Sequence, residues 1–267
     1  MGILTLLALG LLGVEPDAPK GHLVIVGGGA AAEEIRRQTL ELAGGPEARV
    51  VVIRHASGDP ESGERARQKW VEAGAKHAVD LELDDPAKAV AEIQAADLIY
   101  FRGGSQVRLM NALAGTGVPE AIRKRFREGA VISGTSAGAA VMSSVMIAGN
   151  DARRLSPRIA EGLGLWPEVI VDQHFLRRRR ENRLRSAVLN RPDLIGVGID
   201  EATAVLVSGR VFEVLGASSV IVMDARKVAP AVRGTGPATA EGQGPNVQMH
   251  LLKAGMKYDL DKGPLSN

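Results

Sequence analysis

The residues best suited to chemistry in this sequence surround Ser136, in the five-residue segment 134–138, which reads GTSAG. The segment fits the G-x-S-x-G pattern of a nucleophile elbow, in which a serine occupies a sharp turn between a strand and a helix. Its hydroxyl then projects clear of the sheet, and free N–H groups at the start of the helix can bind an oxyanion. A glycine-rich turn with a helix-capping serine fits the same residues, because such short patterns recur by chance.

A serine hydroxyl needs a base to take its proton, and that base needs a carboxylate to orient it. Among the five histidines, His174 is the best candidate, because it stands with polar residues at a predicted strand end, where active sites of parallel sheets gather. His55 follows another strand end and is a weaker alternative. At the end of the next strand, Glu201 is the first choice of carboxylate and Asp200 the second. The order Ser, His, Glu argues against an ordinary esterase or lipase fold.

A second glycine-rich turn suggests a different function. Residues 27–32 follow a predicted strand and satisfy the G-x-G-x-x-A fingerprint of a dinucleotide site. Such a site needs an acid at the end of the second strand, but residues 53–58 contain none, and only Arg54 could accept a 2′-phosphate. We interpret the segment as a tight turn whose glycines let another segment approach. A catalytically silent nucleotide- or peptide-binding protein remains the alternative from a different class.

Apolar runs that alternate with helical periodicity predict βα units and a parallel sheet. Strands are predicted at 22–26, 49–53, within 76–83, at 97–101, before the elbow and at 169–171, with helices at 31–43, 60–73, 86–95, 106–114, 118–128 and 175–190. Short strands at 195–199, 204–207, 211–215, 219–223 and 247–252, with a loop at 233–246, favour an antiparallel or mixed extension. We therefore expect an α/β fold with a mostly parallel, doubly wound sheet, helices on both faces and an antiparallel C-terminal flank. The three candidate side chains should meet at one rim of a single sheet.

Composition limits the class of protein. A chain of 267 residues that is 45% hydrophobic can bury a sizeable core, and a net charge of +2 does not indicate a general nucleic-acid binder. The absence of cysteine excludes disulfides, thiolate metal sites and a cysteine nucleophile.

Residues 3–12 are apolar and too short for a bilayer span of about 20 residues, but they have the length of a signal-peptide core. We expect a signal-like or disordered segment at 1–20, a single domain at 21–267 and a secreted or periplasmic protein, with a cytoplasmic one as the alternative.

Several segments in order carry a resemblance to one family. They are 101–106 (FRGGSQ), 134–143 (GTSAGAAVMS), 172–175 (DQHF), 198–204 (GIDEATA) and 252–260 (LKAGMKYDL), together with the spaced Arg178, Arg180, Arg183 and Leu184. The chain thus resembles the cyanophycinases, serine exopeptidases of the dipeptidase E-like group in peptidase family S51. The resemblance covers about residues 21–260 and implies a class I glutamine-amidotransferase-like, flavodoxin-like fold.

The resemblance also implies roles for individual residues. Ser136 would be the nucleophile, His174 the base and Glu201 the orienting acid, with oxyanion donors from the backbone at Gly104 and Ala137. The side chains that it places in the substrate pocket are Gln106, Asp172, Gln173, Arg178, Arg180 and Arg183. The other arginines of this run, Arg177, Arg179 and Arg185, are expected to be solvated.

The substrate that the resemblance implies is cyanophycin, a poly-aspartate backbone with arginine joined to each side-chain carboxyl, and the products are β-Asp-Arg dipeptides released through an acyl-enzyme. No metal or cofactor is implied, and related enzymes lead us to expect a homodimer. Ser105 stands where the family's loop usually has Asp, which removes a carboxylate near the pocket. A dipeptidase that removes N-terminal aspartate from short Asp-X peptides is therefore kept as the alternative enzyme.

Overall fold

The structure is a computed structural model that describes residues 18–29, 33–151, 156–227 and 247–266. The signal-like segment at 3–12, the predicted loop at 233–246 and residues 30–32 of the glycine-rich turn lie outside the described residues.

The elements, in chain order, alternate between strands and helices in the first half and are mainly strands in the second. The strands are β1 Leu23–Val26, β2 Arg49–Ile53, β3 His77–Asp80, β4 Leu98–Phe101, β5 Val131–Thr135, β6 Val145–Asp151, β7 Ser156–Glu161, β8 Val169–Gln173, β9 Ile195–Ile199, β10 Thr203–Ser208, β11 Val211–Gly216, β12 Ser219–Asp224, β13 Gln248–Lys253, β14 Lys257–Asp259 and β15 Gly263–Leu265. The helices are α1 Glu33–Leu42, α2 Ser62–Glu72, α3 Pro86–Ala95, α4 Gln106–Leu113, α5 Val118–Glu128, α6 Ala137–Ala140 and α7 Glu181–Asn190.

The main sheet has nine strands in the order β15-β14-β11-β10-β1-β5-β4-β2-β3. The five strands from β1 to β3 in this order run parallel, and β10, β11, β14 and β15 are paired antiparallel. Alternate residues of the parallel strands enter two separate apolar clusters, one covered by α1 and α2 and the other by α3, α4 and α5. The predicted α/β fold with helices on both faces and antiparallel C-terminal strands is confirmed.

A second sheet, with the order β13-β12-β9-β8, corrects the expectation that one sheet carries all three candidate side chains. Strands β8 and β9 pair in parallel in this sheet and not with the main one. One face of β8, with Val169 and Val171, packs into the core of the main sheet, while Ile170 on the other face lies under α7. Because both faces are buried, the apolar run looks the same as that of a central strand, and periodicity does not reveal its partners.

Two further differences concern local structure. The hairpin of β6 and β7 and the short strands β14 and β15 were not predicted. The arginine-rich helix begins at Glu181 instead of residue 175, because Arg179 has a left-handed backbone (φ 50°) and Arg180 occupies the N-cap. Arg178 and Arg180 therefore precede the helix, and only Arg183 of the predicted pocket arginines lies in it. No helix in the described ranges is long and apolar enough to cross a membrane.

Candidate active site

Ser136 sits at a sharp turn between β5 and α6, with φ 54° and ψ −111°. A side chain at Gly134 would lie 2.6 Å from the carbonyl oxygen of Gly138, and one at Gly138 would lie 2.3 Å from that of Phe101. Both glycines are therefore required by close backbone contacts, as expected for an elbow. The Ser136 side chain forms no capping hydrogen bond. The local geometry is that of a nucleophile elbow and not of an ordinary helix cap.

Three of the predicted side chains form one hydrogen-bonded chain. The Nε2 atom of His174 is 2.9 Å from the Oγ of Ser136, and Nδ1 is 2.6 Å from the Oε1 of Glu201. The His174 side chain is 10% exposed and that of Glu201 is 33% exposed. The carboxylate favours the tautomer with the proton on Nδ1, which leaves Nε2 free to accept the hydroxyl proton of Ser136.

Three consecutive carbonyl groups, beginning at the last residue of β1, hold the backbone of this triad in place. The carbonyl of Val26 accepts the N–H of Ser136 at 3.1 Å, and that of Gly27 accepts the N–H of His174 at 2.7 Å. The carbonyl of Gly28 accepts the N–H of Ala202, next to Glu201, at 3.0 Å. One short segment at the end of the central strand β1 thus positions segments that come from two different sheets.

The glycines of residues 27–29 have a structural explanation that does not involve a nucleotide. A side chain at Gly28 would lie 2.4 Å from the Cε1 of His174, and one at Gly29 would lie 3.0 Å from the Cβ of Glu201. Both glycines also have positive φ, at 119° and 71°. As interpreted from the sequence, these glycines let another segment approach, and that segment carries the imidazole and the carboxylate.

The arginine that could have accepted a 2′-phosphate is already engaged. Arg54 forms ion pairs with Asp80 and Glu82, each at 2.8 Å. The nucleotide-binding alternative therefore loses its proposed phosphate ligand.

Backbone strain concentrates at this site. Among the described residues, the non-glycine residues with positive φ are Ser136, His174, Arg179 and Ala202, and all but Arg179 belong to the triad or adjoin it. Such conformations cost about 1–3 kcal/mol each and persist only where the surrounding structure determines them. The hydrogen bonds to the carbonyl groups of residues 26–28 hold the triad segments in these conformations.

Asp200, the second choice of orienting acid, has a different role. Its carboxylate accepts the N–H of Arg177 at 2.9 Å and the hydroxyl of Ser218 at 2.8 Å. Burial alone would raise the pKa of Asp200, but these hydrogen bonds outweigh it and lower the pKa. Asp200 thus anchors the turn that follows His174, and Glu201 is the carboxylate bonded to the imidazole.

The loop that precedes α4 lies beside Ser136. A side chain at Gly103 would be 3.3 Å from the Cβ of Ser136, and one at Gly104 (φ 150°) would be 2.2 Å from the carbonyl oxygen of Ala56. Neither the N–H of Gly104 nor that of Ala137 donates to an acceptor within the described residues. Both donors are therefore free to bind an oxyanion, and this role remains a prediction for them.

Ser105 caps α4, since its hydroxyl accepts the N–H of Arg108 at 3.3 Å. An aspartate at this position could form the same cap. Ser105 is absent from the lining of the cavity beside Ser136. The departure from the family's usual loop thus falls on a residue that caps a helix.

Four of the six predicted pocket residues are bonded to one another. The Asp172 side chain, which is 1% exposed, accepts from Arg183 Nε at 2.8 Å and forms an ion pair with Arg180 at 3.4 Å. Arg180 also donates to the backbone and side-chain oxygens of Gln173, at 2.6 and 2.8 Å. Burial and the nearby Arg183 guanidinium lower the pKa of Arg180 to about 10, so it stays charged at neutral pH. Asp172 is therefore a partner of neighbouring arginines.

The remaining predicted residues are placed differently. Arg178 is exposed, and the side-chain amide of Gln106 donates to the carbonyl of Ile147 at 2.6 Å. Arg177 and Arg179 are exposed as expected, whereas Arg185 is half-buried. Contact of any of these side chains with substrate remains a prediction.

A cavity of about 390 Å³ opens beside Ser136, on the side of α1 and α2. Its lining consists of Gly29, Arg36, Arg65, Ala66, Lys69, Trp70, Tyr100, Arg102, Gly103, Gly104, Thr135 and Ser136. None of the six predicted pocket side chains belongs to it, and apart from Gly104 and Ser136 the sequence prediction missed these residues. Arg102 lies inside the FRGGSQ segment and could have been found there, whereas the helix residues carry no motif. In the described parts of the chain, no cluster of three or more His, Asp or Glu side chains could hold a metal ion.

A serine in an elbow, activated by an imidazole that a carboxylate orients, defines the class of serine-type hydrolases. The family comparison makes this more specific, because the model of peptidase family S51 matches residues 23–215. The chain belongs to this family and is a serine-type peptidase.

Individual relatives agree with this assignment. The chain is 37% identical over 264 residues to a protein named cyanophycinase from Nostoc sp., covering 92% of this chain and 87% of the relative. It is 32% identical over 129 residues to a peptidase E from Streptomyces coelicolor, covering 45% of this chain and 52% of the relative. The solved structure of a peptidase from an acI-B1 Actinobacterium has a similar fold, with a TM-score of 0.68 and 24% identity, covering 91% of this chain and 98% of that one.

Proposed function

We propose that this peptidase hydrolyses cyanophycin to β-Asp-Arg dipeptides as a serine exopeptidase. The observation that carries the proposal is the hydrogen-bonded chain Ser136–His174–Glu201, found in a sequence that is 37% identical to a cyanophycinase over 92% of its length. Similarity over nearly the whole chain favours this substrate over that of peptidase E, which matches less than half of the chain.

The proposed mechanism is acyl transfer. His174 takes the proton of Ser136 as its Oγ attacks a backbone aspartyl carbonyl, and the N–H groups of Gly104 and Ala137 bind the oxyanion. His174 then gives the proton to the departing amine, which breaks the peptide bond and leaves an ester on Ser136. Water, activated by the same imidazole, hydrolyses the ester. Glu201 keeps the imidazole in its orientation and stabilises its charge in each step.

The positive charges at the site suit the carboxylates of the proposed substrate. Each unit of cyanophycin carries a guanidinium and a carboxylate, and arginine side chains offer a planar pair of donors that matches a carboxylate. Arg178 is exposed on the turn that follows His174, and further cationic side chains line the cavity beside Ser136.

The test is product analysis after incubation with insoluble cyanophycin, with Ser136→Ala as the inactive control. The proposal is supported if the wild type releases β-Asp-Arg and Ser136→Ala does not. Release of free aspartate from Asp-X dipeptides without action on cyanophycin would instead establish the dipeptidase alternative, which the partial match to peptidase E favours.

Assembly and location remain predictions. A homodimer is expected. A monomer in sedimentation analysis of the purified chain would refute this prediction. Export is expected from the apolar segment at 3–12, and N-terminal sequencing of the mature protein would refute cleavage by finding residue 1 or 2 intact.

A further inference from the structure

The cavity beside Ser136 has four cationic side chains in its wall: Arg36, Arg65, Lys69 and Arg102. Arg65 is already paired with Asp59 and with Glu61. Arg36 and Arg102 have no carboxylate within ion-pair distance among the residues that the structure describes. Two guanidinium groups therefore line this space without forming an ion pair in the described chain, although the charge of Arg102 contributes to lowering the pKa of Asp59.

The surroundings of these two arginines strengthen their attraction for an anion. Both are half-buried, and the same wall contains Tyr100 and Trp70, which is 2% exposed and packs edge-on against Tyr100 at 5.2 Å between ring centroids. Burial raises the pKa of Tyr100, and the charges of Arg36 and Arg102, which line the same cavity, oppose that rise. An aromatic wall excludes water, so a charge pair formed here is screened less than one at the surface.

The arginines predicted from the sequence are in a different electrostatic situation. Arg180 and Arg183 already share the buried carboxylate of Asp172, whereas Arg36 and Arg102 have no such internal partner among the described residues. The cavity is also large enough for a ligand group, since binding pockets start at about 300 Å³. This cavity thus places two guanidinium groups without an ion-pair partner among the described residues beside Ser136.

We propose that this cavity is a carboxylate-binding subsite, in which Arg36 and Arg102 hold a carboxylate of the substrate beside the bond that is cut. The inference rests on the proposed function, because cyanophycin supplies carboxylates of two kinds. One is the α-carboxylate of each linked arginine, and the other is the main-chain carboxylate at the end of the polymer. Both have the planar, two-oxygen shape that a guanidinium matches.

Three synthetic trimers of the β-Asp-Arg unit distinguish the two sources. The first has all carboxylates free, the second ends in a main-chain carboxamide, and the third is built from argininamide. We expect the wild type to lose about tenfold in kcat/KM on the trimer that lacks the bound carboxylate, since a hydrogen-bonded charge is removed. The trimer that shows this loss identifies the source. Equal rates on all three trimers would overturn the inference.

The arginines are tested by Arg36→Gln and Arg102→Gln, with Arg37→Gln as the matched control. Arg37 lies on the same helix, but it is exposed and paired with Glu34 at 2.7 Å. Each cavity variant should raise KM about tenfold on the free trimer, with a smaller change in kcat, and should lose the preference for acid over amide. The Arg37→Gln control should keep the wild-type KM and the preference for acid over amide. Cavity variants that keep the acid preference would overturn the assignment.

Calorimetry separates the failure of the subsite from the failure of the proposed function. Binding of the trimers to Ser136→Ala measures the affinity of the cavity for each trimer without turnover. If the wild type cleaves no trimer, the proposed substrate is wrong. The subsite is then tested by binding alone: it is supported if Ser136→Ala binds the trimer with free carboxylates more tightly than an amide trimer. An equal Kd for all three trimers would overturn the subsite even if cyanophycin is cleaved.

Discussion

The imidazole ring of His174 packs directly against the α-carbon of Gly28. A methyl group at Gly28 would lie 2.4 Å from Cε1 and 2.5 Å from Nε2 of the ring, and the latter is the atom that faces Ser136. The base and the glycine-rich turn are thus parts of one arrangement, in which the end of β1 both holds the triad backbone and makes room for its ring.

Gly28→Ala should displace the His174 ring and lower kcat by about 100-fold, because a displacement of about 1 Å is enough to disrupt catalytic geometry. The matched control is Gly44→Ala, which has a similar φ of 113° but no atom within 4 Å of the added methyl group. Both variants should lose about 1–3 kcal/mol of unfolding free energy from backbone strain. Activity assays and thermal unfolding check the pair. Equal activity in the two variants would show that the ring does not depend on Gly28.

Asp200→Asn should reduce the free energy of unfolding at pH 7 by about 1–2 kcal/mol, because a carboxylate accepting two hydrogen bonds is replaced by an amide. The pKa of Asp200 is lowered from its ordinary value of 3.8. Its stabilisation is therefore present above about pH 4 and lost as the pH falls through the folded-state pKa. Denaturant unfolding should show the gap between variant and wild type narrowing in acid. The exposed Asp84→Asn serves as control, and a gap that stays constant with pH would contradict the assignment.

Asp172→Asn should destabilise the fold by about 3 kcal/mol, because it leaves Arg180 and Arg183 without their buried counter-charge. The comparison is Asp193→Asn, which removes the partner of Arg191 in an exposed pair and should cost less than about 1 kcal/mol. Denaturant unfolding measures both. A near-zero effect of Asp172→Asn would mean that its carboxylate is available to substrate, as its predicted place in the substrate pocket implies.

Ser105→Asp should leave kcat/KM on the substrate within about twofold and keep the stability, because aspartate caps a helix as well as serine does. Ser105→Ala should lose about 1 kcal/mol of unfolding free energy with the cap. A change of tenfold or more in kcat/KM for Ser105→Asp would show that this position faces the substrate after all.

The local parts of the site could be predicted from the sequence because their residue types are dictated by short-range sterics. The elbow around Ser136 requires small neighbours, and that requirement is visible in five consecutive residues. His174 and Glu201 were found because both follow buried strands, where polar residues are unusual. The parallel half of the main sheet was predictable for the same reason, since apolar strands alternate there with amphipathic helices.

The longer-range parts could not be predicted. Strand β8 is buried on both faces, and nothing in its apolar pattern shows that it pairs in a second sheet. The cavity takes one wall from α1 and α2, where Arg36 and Lys69 lie at polar helix positions that look solvated in the sequence. Only the packing of these helices beside β4 and β5 brings their charges to Ser136.

The most direct test of the catalytic assignment is labelling with a fluorophosphonate, followed by mass spectrometry of the modified peptide. The wild type should be labelled at Ser136, Ser136→Ala should not be labelled, and His174→Ala and Glu201→Gln should react at least about 100-fold more slowly, because the hydroxyl loses its base or the orientation of that base. Labelling at another residue, or unchanged rates in the His174 and Glu201 variants, would contradict the account.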